Sequence, residues 1–399
     1  MMAAAIAAEK QQSEKIFLIE KNAILGHKVI ISGGGRCNVT TGIEDLKKIL
    51  EKYPRGKNFL KFAMYDFPPR KVMEWFEGHG VPLKIEQDLR VFPKSNNGKD
   101  IVKAFENIFT KSGVEVLLRS KVEKIQKTKN KFLIVTEDKT KFEVDNLVLT
   151  TGGQAYRLTG SSGDGYFFDE AMGHKITKLA PSLNALILKE TWVKNLAVVS
   201  FKNAKIRTGG KNRQEFTGAF MFTHKGISGP AVFALSSLAA YELADFTNSV
   251  PIFIDFFPEL RYEELTAKLK NHLHKNPKKH FINTLDFLGP LSLMRILCSE
   301  LKIKEDKSSV EINKTEINKT IDWLKNSPFH VKGHAPGEEF VTAGGIDLSE
   351  VDSKTMQSKI CPGLYFAGEI LNVDGFTGGF NLQAAWATGA LAGLATAKN

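Results

Sequence analysis

Gly363-Leu-Tyr-Phe-Ala-Gly-Glu369, followed closely by Asp374-Gly-Phe-Thr-Gly-Gly-Phe-Asn-Leu-Gln383, is the stretch that decides the fold. Leu364 to Ala367 predict a short apolar strand, and Gly368 allows the backbone to approach a ligand closely. The glycine pair before Phe380 leads into a predicted helix from about Asn381 to Ala397. The start of such a helix presents unpaired N–H groups and a positive dipole end, so it favours a negatively charged ligand.

This strand–loop–helix pattern favours a flavin dinucleotide as the ligand. Glu369 comes directly after a glycine and is placed to bind sugar hydroxyls, while the helix N–H groups suit a pyrophosphate or the oxygen at flavin C2. An ordinary strand–loop–helix is the alternative for any single glycine, but the glycines occur here together with two acids and a helix start. The candidate cofactor-binding residues of this stretch are Gly368, Glu369, Asp374, Gly379, Phe380, Asn381 and Leu382.

A glycine triplet lies near the other end of the chain. The segment Lys28-Val-Ile-Ile-Ser32 leads into Gly33-Gly34-Gly35-Arg36-Cys37-Asn38, and three successive glycines allow the backbone to curl around a ligand. A simple turn is the alternative, and a small buried residue is the alternative for Cys37. The candidate cofactor-binding residues here are Lys28, Ser32, Gly33, Gly34, Gly35, Arg36, Cys37 and Asn38.

Three further segments point to the same ligand. Lys15 to Glu20 predicts a strand that ends in the acid expected to hold the adenosine ribose. Leu147 to Gly153 predicts a buried parallel strand, and Thr159 to Gly165 places glycines before a helix from about Tyr166 to Met172. A well-capped helix without a ligand is the alternative for this last segment. The candidates are Glu20, Thr151, Gly152, Gly153 and Asp164.

The middle of the chain has a different pattern. Four β-like runs are predicted at 196–201, 205–208, 216–222 and 251–256, followed by lysine-rich helices between Tyr262 and Lys325. Pro230 is expected to start a helix. His224 is a candidate acid/base or substrate-binding residue, with a structural histidine as the alternative. Arg36 is the other catalytic candidate.

Composition limits the possible functions. With 399 residues and 42% apolar content, the chain can form two or three domains. We expect a cytoplasmic protein, because the sequence predicts neither a membrane span nor a signal peptide. The three cysteines are far apart, so we expect neither a disulfide framework nor a metal site. The net charge of +11 predicts a solvated basic surface rather than specific nucleic-acid binding.

Four blocks resemble one bacterial family: 31–41 (ISGGGRCNVTT), 150–183, 217–233 and 363–389 (GLYFAGEILNVDGFTGGFNLQAAWATG). They are similar to the NAD(P)/FAD-dependent oxidoreductases of the YhiN/BaiN type, also known as aminoacetone oxidase-like flavoproteins. The resemblance implies an α/β fold with FAD as cofactor and Val122, on a three-stranded excursion, near the adenine. It also implies an FAD-binding Rossmann-like domain (two-dinucleotide-fold type) at 1–187 and 340–399, interrupted by a mixed β/α insertion domain at 188–339.

The start of the chain departs from this pattern. Residues 1–9 predict the helix that follows a G-x-G-x-x-G turn, whereas the strand and turn themselves are missing from the sequence. A start codon assigned too late is the favoured explanation, and a shortened copy is the other.

We expect hydride transfer between a small organic substrate and flavin N5, with NAD(P)H or dioxygen as redox partner. A flavin-free or non-catalytic homologue acting as a binding protein is the alternative.

Overall fold

A computed structural model shows the fold and describes residues 1–11, 15–210, 212–244, 249–335, 337 and 339–397. The chain forms two compact units: Met1–Pro181 together with Phe340–Asn399, and Ser182–Glu339. The sequence predicted divisions at 187/188 and 339/340. The assignment of FAD binding to the first unit stays a prediction.

The first part of the chain alternates helices with short strands. Its helices are α1 (Met2–Lys10), α2 (His27–Ile31), α3 (Leu46–Leu50), α4 (Lys61–Asp66), α5 (Pro69–Gly78), α6 (Lys99–Ser112) and α7 (Asp164–Ala171). Its strands are β1 (Phe17–Ile19), β2 (Thr40–Thr41), β3 (Leu83–Ile85), β4 (Arg90–Pro93), β5 (Glu115–Leu117), β6 (Val122–Lys127), β7 (Phe132–Thr136), β8 (Lys141–Val144), β9 (Leu147–Leu149) and β10 (Ala180–Ser182). The predicted helix at the start of the chain is confirmed as α1.

The second unit and the last part of the chain complete the fold. The strands that follow are β11 (Leu186–Leu188), β12 (Ser200–Thr208), β13 (Glu215–Phe222), β14 (Gly226–Ser228), β15 (Val250–Asp255), β16 (Ser327–His334), β17 (Val341–Ala343) and β18 (Leu364–Phe366). The helices that follow are α8 (Pro230–Leu238), α9 (Ala240–Leu243), α10 (Tyr262–Lys275), α11 (Phe281–Thr284), α12 (Leu291–Leu301), α13 (Lys314–Lys325) and α14 (Phe380–Thr396). The predicted start of α8 at Pro230 is confirmed.

Two parallel strand pairs in the first unit carry the segments that the sequence singled out. β1 pairs with β5, and β9 pairs with β18. The strands predicted at 147–153 and 364–367 are therefore confirmed in type and shorter in extent, at 147–149 and 364–366, and they lie side by side. β5 pairs with β1 and stays apart from the three-stranded sheet, which β6, β7 and β8 form.

Helix α14 is the centre of the first unit's core. Trp386 packs against Phe76 of α5 at 5.5 Å and Phe105 of α6 at 5.8 Å between ring centroids. Helix α6 presents apolar residues at positions three and four apart, which is the spacing of one buried helix face. It ends at Gly113, whose φ of +71° is a left-handed conformation that glycine adopts readily. The helices between 46 and 112 thus hold α14 in place.

The second unit contains a closed six-stranded barrel, in the order β11-β14-β13-β12-β15-β16, together with helices α8 to α13. Phe220, Phe222 and Phe329 are buried inside its core, as the alternation of apolar residues along β13 and β16 requires. The strand predicted at 196–201 was wrong in its first half, because residues 191–196 form a 3₁₀ helix and β12 begins at Ser200. Leu196 is buried from that helix, so its apolar character did not signal a strand.

Candidate functional site

The glycine triplet forms a tight left-handed turn. Gly33, Gly34 and Gly35 have φ angles of +57°, +71° and +86°, which L side chains rarely adopt. A Cβ atom added at Gly34 or Gly35 would meet nothing within 4 Å. The turn therefore presents bare backbone to open space, as a cradle for a ligand requires.

Asn38 joins this turn to the start of α14. With its amide oriented to satisfy its neighbours, Asn38 Oδ1 accepts a hydrogen bond from the Gly379 N–H at 2.9 Å, and Nδ2 donates to the Thr40 carbonyl at 3.0 Å. A Cβ added at Gly379 would lie 2.4 Å from the Thr40 carbonyl oxygen, so only glycine fits this close approach. The segments 33–38 and 379–382 are thus brought together, although they are far apart in the sequence.

Helix α14 begins without a side-chain cap. Gly379 occupies the N-cap with φ of +91° and, as a glycine, has no side chain that could bond to the N–H groups of the first turn. The Asn381 side chain instead bonds the N–H and the carbonyl of Gly375, at 2.8 Å each. Tyr53 Oη donates to the Phe380 carbonyl at 2.7 Å. These contacts of Phe380 and Asn381 therefore fix the first turn of α14, which includes Leu382. The positive end of the helix dipole lies at this turn.

An ion pair connects three of the predicted segments. Lys28 Nζ lies 2.5 Å from Glu369 Oε2 and 3.4 Å from the Ala155 carbonyl oxygen. Glu369 Oε1 accepts a hydrogen bond from the Thr342 N–H at 2.9 Å. A Cβ added at Gly153 would lie 3.2 Å from the same Glu369 oxygen. The turn after β9, the residue after Gly368 and the helix before the glycine triplet therefore meet at one place.

The segment 159–165 meets the end of β1. Asn22 Nδ2 donates to the Thr159 carbonyl at 2.9 Å, and Lys21 Nζ pairs with Asp164 Oδ2 at 2.9 Å. Burial acts to raise the pKa of Asp164, but hydrogen bonds from Lys21 and Ser162 outweigh it and lower that pKa. Glu20 Oε1 accepts from the Asn22 N–H at 2.8 Å.

The structure places the remaining candidates of this unit around these contacts. Ser32 Oγ donates to the Val29 carbonyl at 2.8 Å and so closes α2. Thr151 is exposed and Gly152 has φ of +74°. Val122 lies at the start of β6, partly buried against the core.

Arg36 and Cys37 are both engaged by the protein itself. Arg36 Nη1 lies 2.7 Å from Glu86 Oε1, and its guanidinium sits 3.8 Å from the centre of the Phe92 ring. Cys37 is fully buried, and burial raises the pKa of its thiol to about 12. The thiol form is therefore the one present at neutral pH, which does not favour a nucleophile. The catalytic role of Arg36 stays a prediction.

Asp374 and Arg55 form a buried ion pair that the sequence did not indicate. The Asp374 carboxylate is fully buried and accepts hydrogen bonds from the Arg55 guanidinium. This pair holds the loop that leads into α14. A role for Asp374 in cofactor binding stays a prediction, and its burial favours an action through the loop.

His224 lies in the second unit, exposed in the turn between β13 and β14. Its acid/base role stays a prediction. Within the described ranges, no group of three or more His, Cys, Asp or Glu side chains could hold a metal ion. In the same part of the chain, no helix is both long and apolar enough to cross a membrane.

Comparison with solved structures supports the fold. The 3-ketosteroid-delta4-(5alpha)-dehydrogenase from Rhodococcus jostii RHA1 matches all of this chain and 94% of its own, with a TM-score of 0.52 and 14% identity. The 3-ketosteroid delta1-dehydrogenase from Sterolibacterium denitrificans matches all of this chain and 97% of its own, with a TM-score of 0.50 and 12% identity. At these identities the likeness shows the fold alone.

Curated relatives match along nearly their whole length. A 3-dehydro-bile acid delta(4,6)-reductase from Clostridium scindens is 28% identical over 400 residues, which cover 100% of this chain and 96% of the relative. A ribosomal RNA dihydrouridine synthase from Escherichia coli is 28% identical over 383 residues, which cover 95% of this chain and 91% of the relative.

The family described as HI0933-like protein Rossmann domain matches residues 1–395. The predicted α/β Rossmann-like fold class is confirmed, and an oxidoreductase enzyme is the class that the comparisons support. With a match that spans almost every residue, this chain belongs to the HI0933-like Rossmann family of flavoprotein oxidoreductases.

Proposed function

We propose that the protein is an FAD-dependent oxidoreductase that transfers a hydride between flavin N5 and an organic substrate, with NAD(P)H as reductant. The observation that carries the proposal is the meeting of the glycine turn 33–38, the turn 151–155 and the uncapped start of α14 within one unit. Gly34 and Gly35 present bare backbone there, and the N-cap of α14 is a glycine without a side chain. Together they suit the pyrophosphate and the polar edge of a flavin.

The residues present fit this cofactor. Gly34 and Gly35 face open space, and Gly368, with φ of +79°, leaves 3.6 Å between an added Cβ and Ala385. The backbone of 33–38, 151–153 and 379–382 would hold the group, with Glu369 as acceptor for a hydroxyl. When bound, FAD supplies the hydride chemistry that amino-acid side chains lack. The start of α14 would stabilise negative charge on the polar edge of the ring.

The names of the relatives suggest a substrate type. They describe the reduction of a bile acid and the conversion of uridine to dihydrouridine in ribosomal RNA. We infer that this protein reduces a carbon–carbon double bond next to a carbonyl, adding a hydride at one carbon and a proton at the other. The exposed His224 is our candidate for the proton donor, because histidine is the side chain that most often acts as a general acid.

A ribosomal RNA nucleoside is the second candidate substrate. Helix α10 and the turn after it expose Lys268, Lys275 and Lys278, and the whole chain carries a net charge of +11. Such a surface attracts phosphates. A small molecule remains the first candidate, because the positive charge is not concentrated in one unit. Residues 182–339 contain 22 Lys and Arg against 17 Asp and Glu, a net charge of +5, and the rest of the chain has a net charge of +6.

A pair of glycine variants tests cofactor binding. Gly34 and Gly113 both have φ of +71°, and a Cβ added at either would meet nothing within 4 Å. The strain in Gly34→Ala and Gly113→Ala should therefore be similar, about 1 kcal/mol each. We expect only Gly34→Ala to weaken FAD binding, measured by flavin absorbance and fluorescence quenching on titration. A wild-type protein that gains no flavin would overturn the proposal.

The redox partner and substrate are tested with the FAD-loaded protein. Under anaerobic conditions, NADH or NADPH should bleach the flavin absorbance. An unsaturated ketone should then restore the colour if a small molecule is the substrate, and uridine-containing ribosomal RNA should restore it if RNA is. If an amine reduces the flavin in place of NAD(P)H, and dioxygen alone then restores the flavin colour, the result would instead support an amine-oxidase activity.

A further inference from the structure

A buried threonine sits where three segments of the candidate site meet. Thr342, on β17, is 4% exposed. Its Oγ1 accepts hydrogen bonds from two successive backbone N–H groups, of Gln154 at 2.7 Å and of Ala155 at 3.1 Å. One hydroxyl oxygen thereby fixes the direction of the chain just after Gly153. Buried N–H groups need such a partner, because leaving them unpaired is costly.

The backbone of the same residue holds the acid of the site. The Thr342 N–H donates to Glu369 Oε1 at 2.9 Å, while Glu369 Oε2 pairs with Lys28. Lys28 Nζ returns to the Ala155 carbonyl, which belongs to the turn that the Thr342 hydroxyl holds. The contacts thus form a closed ring through Thr342, Glu369, Lys28 and Ala155.

The turn and the threonine also fit each other sterically. A Cβ added at Gly153 would lie 2.5 Å from Thr342 Oγ1 and 2.7 Å from its Cβ. The close approach lets the hydroxyl reach the N–H groups that follow. Because Thr342 is buried and its hydroxyl faces the protein backbone, it is suited to act through the turn and not by contact with a reacting atom.

We infer that Thr342 is a positioning residue, whose hydroxyl sets the turn 151–155 and whose N–H sets Glu369 in the geometry that binds FAD. The inference rests on the proposed function. It adds an uncharged residue that lies outside the candidate segments at 28–38, 147–153, 159–165 and 363–383.

The test compares three variants in the full-length protein. Thr342→Val keeps the shape but removes the acceptor, and Thr342→Ser keeps the hydroxyl. Thr177→Val is the matched control, because Thr177 Oγ1 also makes two backbone hydrogen bonds in this unit, both to Gly345, at 3.0 and 3.1 Å. We expect Thr342→Val to bind FAD at least about tenfold more weakly than wild type, which is the effect that one unpaired buried N–H predicts. Thr342→Ser should bind FAD nearly as tightly as wild type, and Thr177→Val should bind it equally tightly.

A readout at the turn itself separates positioning from a general loss of stability. Hydrogen exchange of the Gln154 and Ala155 amides should be faster in Thr342→Val than in Thr177→Val. The two variants are compared at a temperature at which both are folded to the same extent. If wild type binds FAD and Thr342→Val binds it within twofold of Thr177→Val, the inference is wrong while the proposed function stands. If wild type binds no FAD, the proposed function fails and the inference falls with it.

Discussion

The buried carboxyl of Asp169 should make the stability of the first unit depend on pH. Asp169 lies on α7, one turn beyond Tyr166, and is fully buried. Neither of its oxygens, nor the Tyr166 hydroxyl, has a hydrogen-bond partner among the residues that the structure describes. Burial, with a smaller contribution from the charge of Glu170, raises the pKa of Asp169 from 3.8 to about 8. The folded protein therefore keeps this carboxyl protonated at neutral pH.

The sign and size of the effect follow from that shift. The unfolded chain releases the proton near pH 4, whereas the folded protein releases it near pH 8. The folded state thus binds one more proton between these values, so the contribution of Asp169 to stability is fully present below about pH 4 and is lost as the pH rises towards 8. The slope is about 1.4 kcal/mol per pH unit, so Asp169 should cost about 4 kcal/mol more at pH 8 than at pH 5.

Asp169→Asn removes this proton while keeping the shape of the side chain. The free energy of unfolding of Asp169→Asn minus that of wild type should therefore grow by about 4 kcal/mol from pH 5 to pH 8. Urea unfolding measures it, with Trp75 and Trp386 as fluorescent reporters of this unit. Phe replaces the other two tryptophans of the chain, Trp192 and Trp323, in every protein compared.

Glu170→Gln is the matched control for Asp169→Asn. It removes a carboxylate from the same helix, but Glu170 is exposed. The pH slope of Glu170→Gln should stay close to that of wild type, because Asp169 remains buried and burial is the larger cause of its raised pKa. Parallel curves for Asp169→Asn and wild type across pH 5 to 8 would refute the reasoning, since they would mean that Asp169 ionises normally in the folded protein.

Two further substitutions test the contacts that build the site. Gly153→Ala should weaken FAD binding at least tenfold, because the new Cβ would lie 2.5 Å from Thr342 Oγ1; Gly78→Ala, where a Cβ would meet nothing within 4 Å, should leave flavin titrations unchanged. Arg55→Met should lower the free energy of unfolding by about 3 kcal/mol or more, because it leaves the buried Asp374 carboxylate without its guanidinium. Adding Asp374→Asn should recover much of that loss in urea unfolding, and a double variant as unstable as the single one would contradict this account.

Local sequence patterns predicted the elements of the site but not their mutual contacts. The strand at 364–366, the helix from 380 and the glycine turn at 33–35 are each encoded within a few residues, by apolar runs and by positions that need glycine. Contacts between residues that are far apart in the sequence are not encoded by such local patterns. Arg55 and Asp374 are 319 residues apart, and the chain offers 55 basic and 44 acidic residues. Thr342 gave no signal at all, because a threonine in a strand is common.

The pair of Lys28 and Glu369 shows how a contact inside the protein is compatible with binding a cofactor. Glu369 was predicted to accept sugar hydroxyls, and both of its oxygens already have partners, the Thr342 N–H and Lys28. A carboxylate offers roughly four lone-pair positions, so about two remain. Lys28 donates towards Glu369 and the Ala155 carbonyl, and its third N–H has no hydrogen-bond acceptor among the residues that the structure describes. An apolar contact would join these segments too, but this pair joins them and still offers both a donor and acceptors to a dinucleotide.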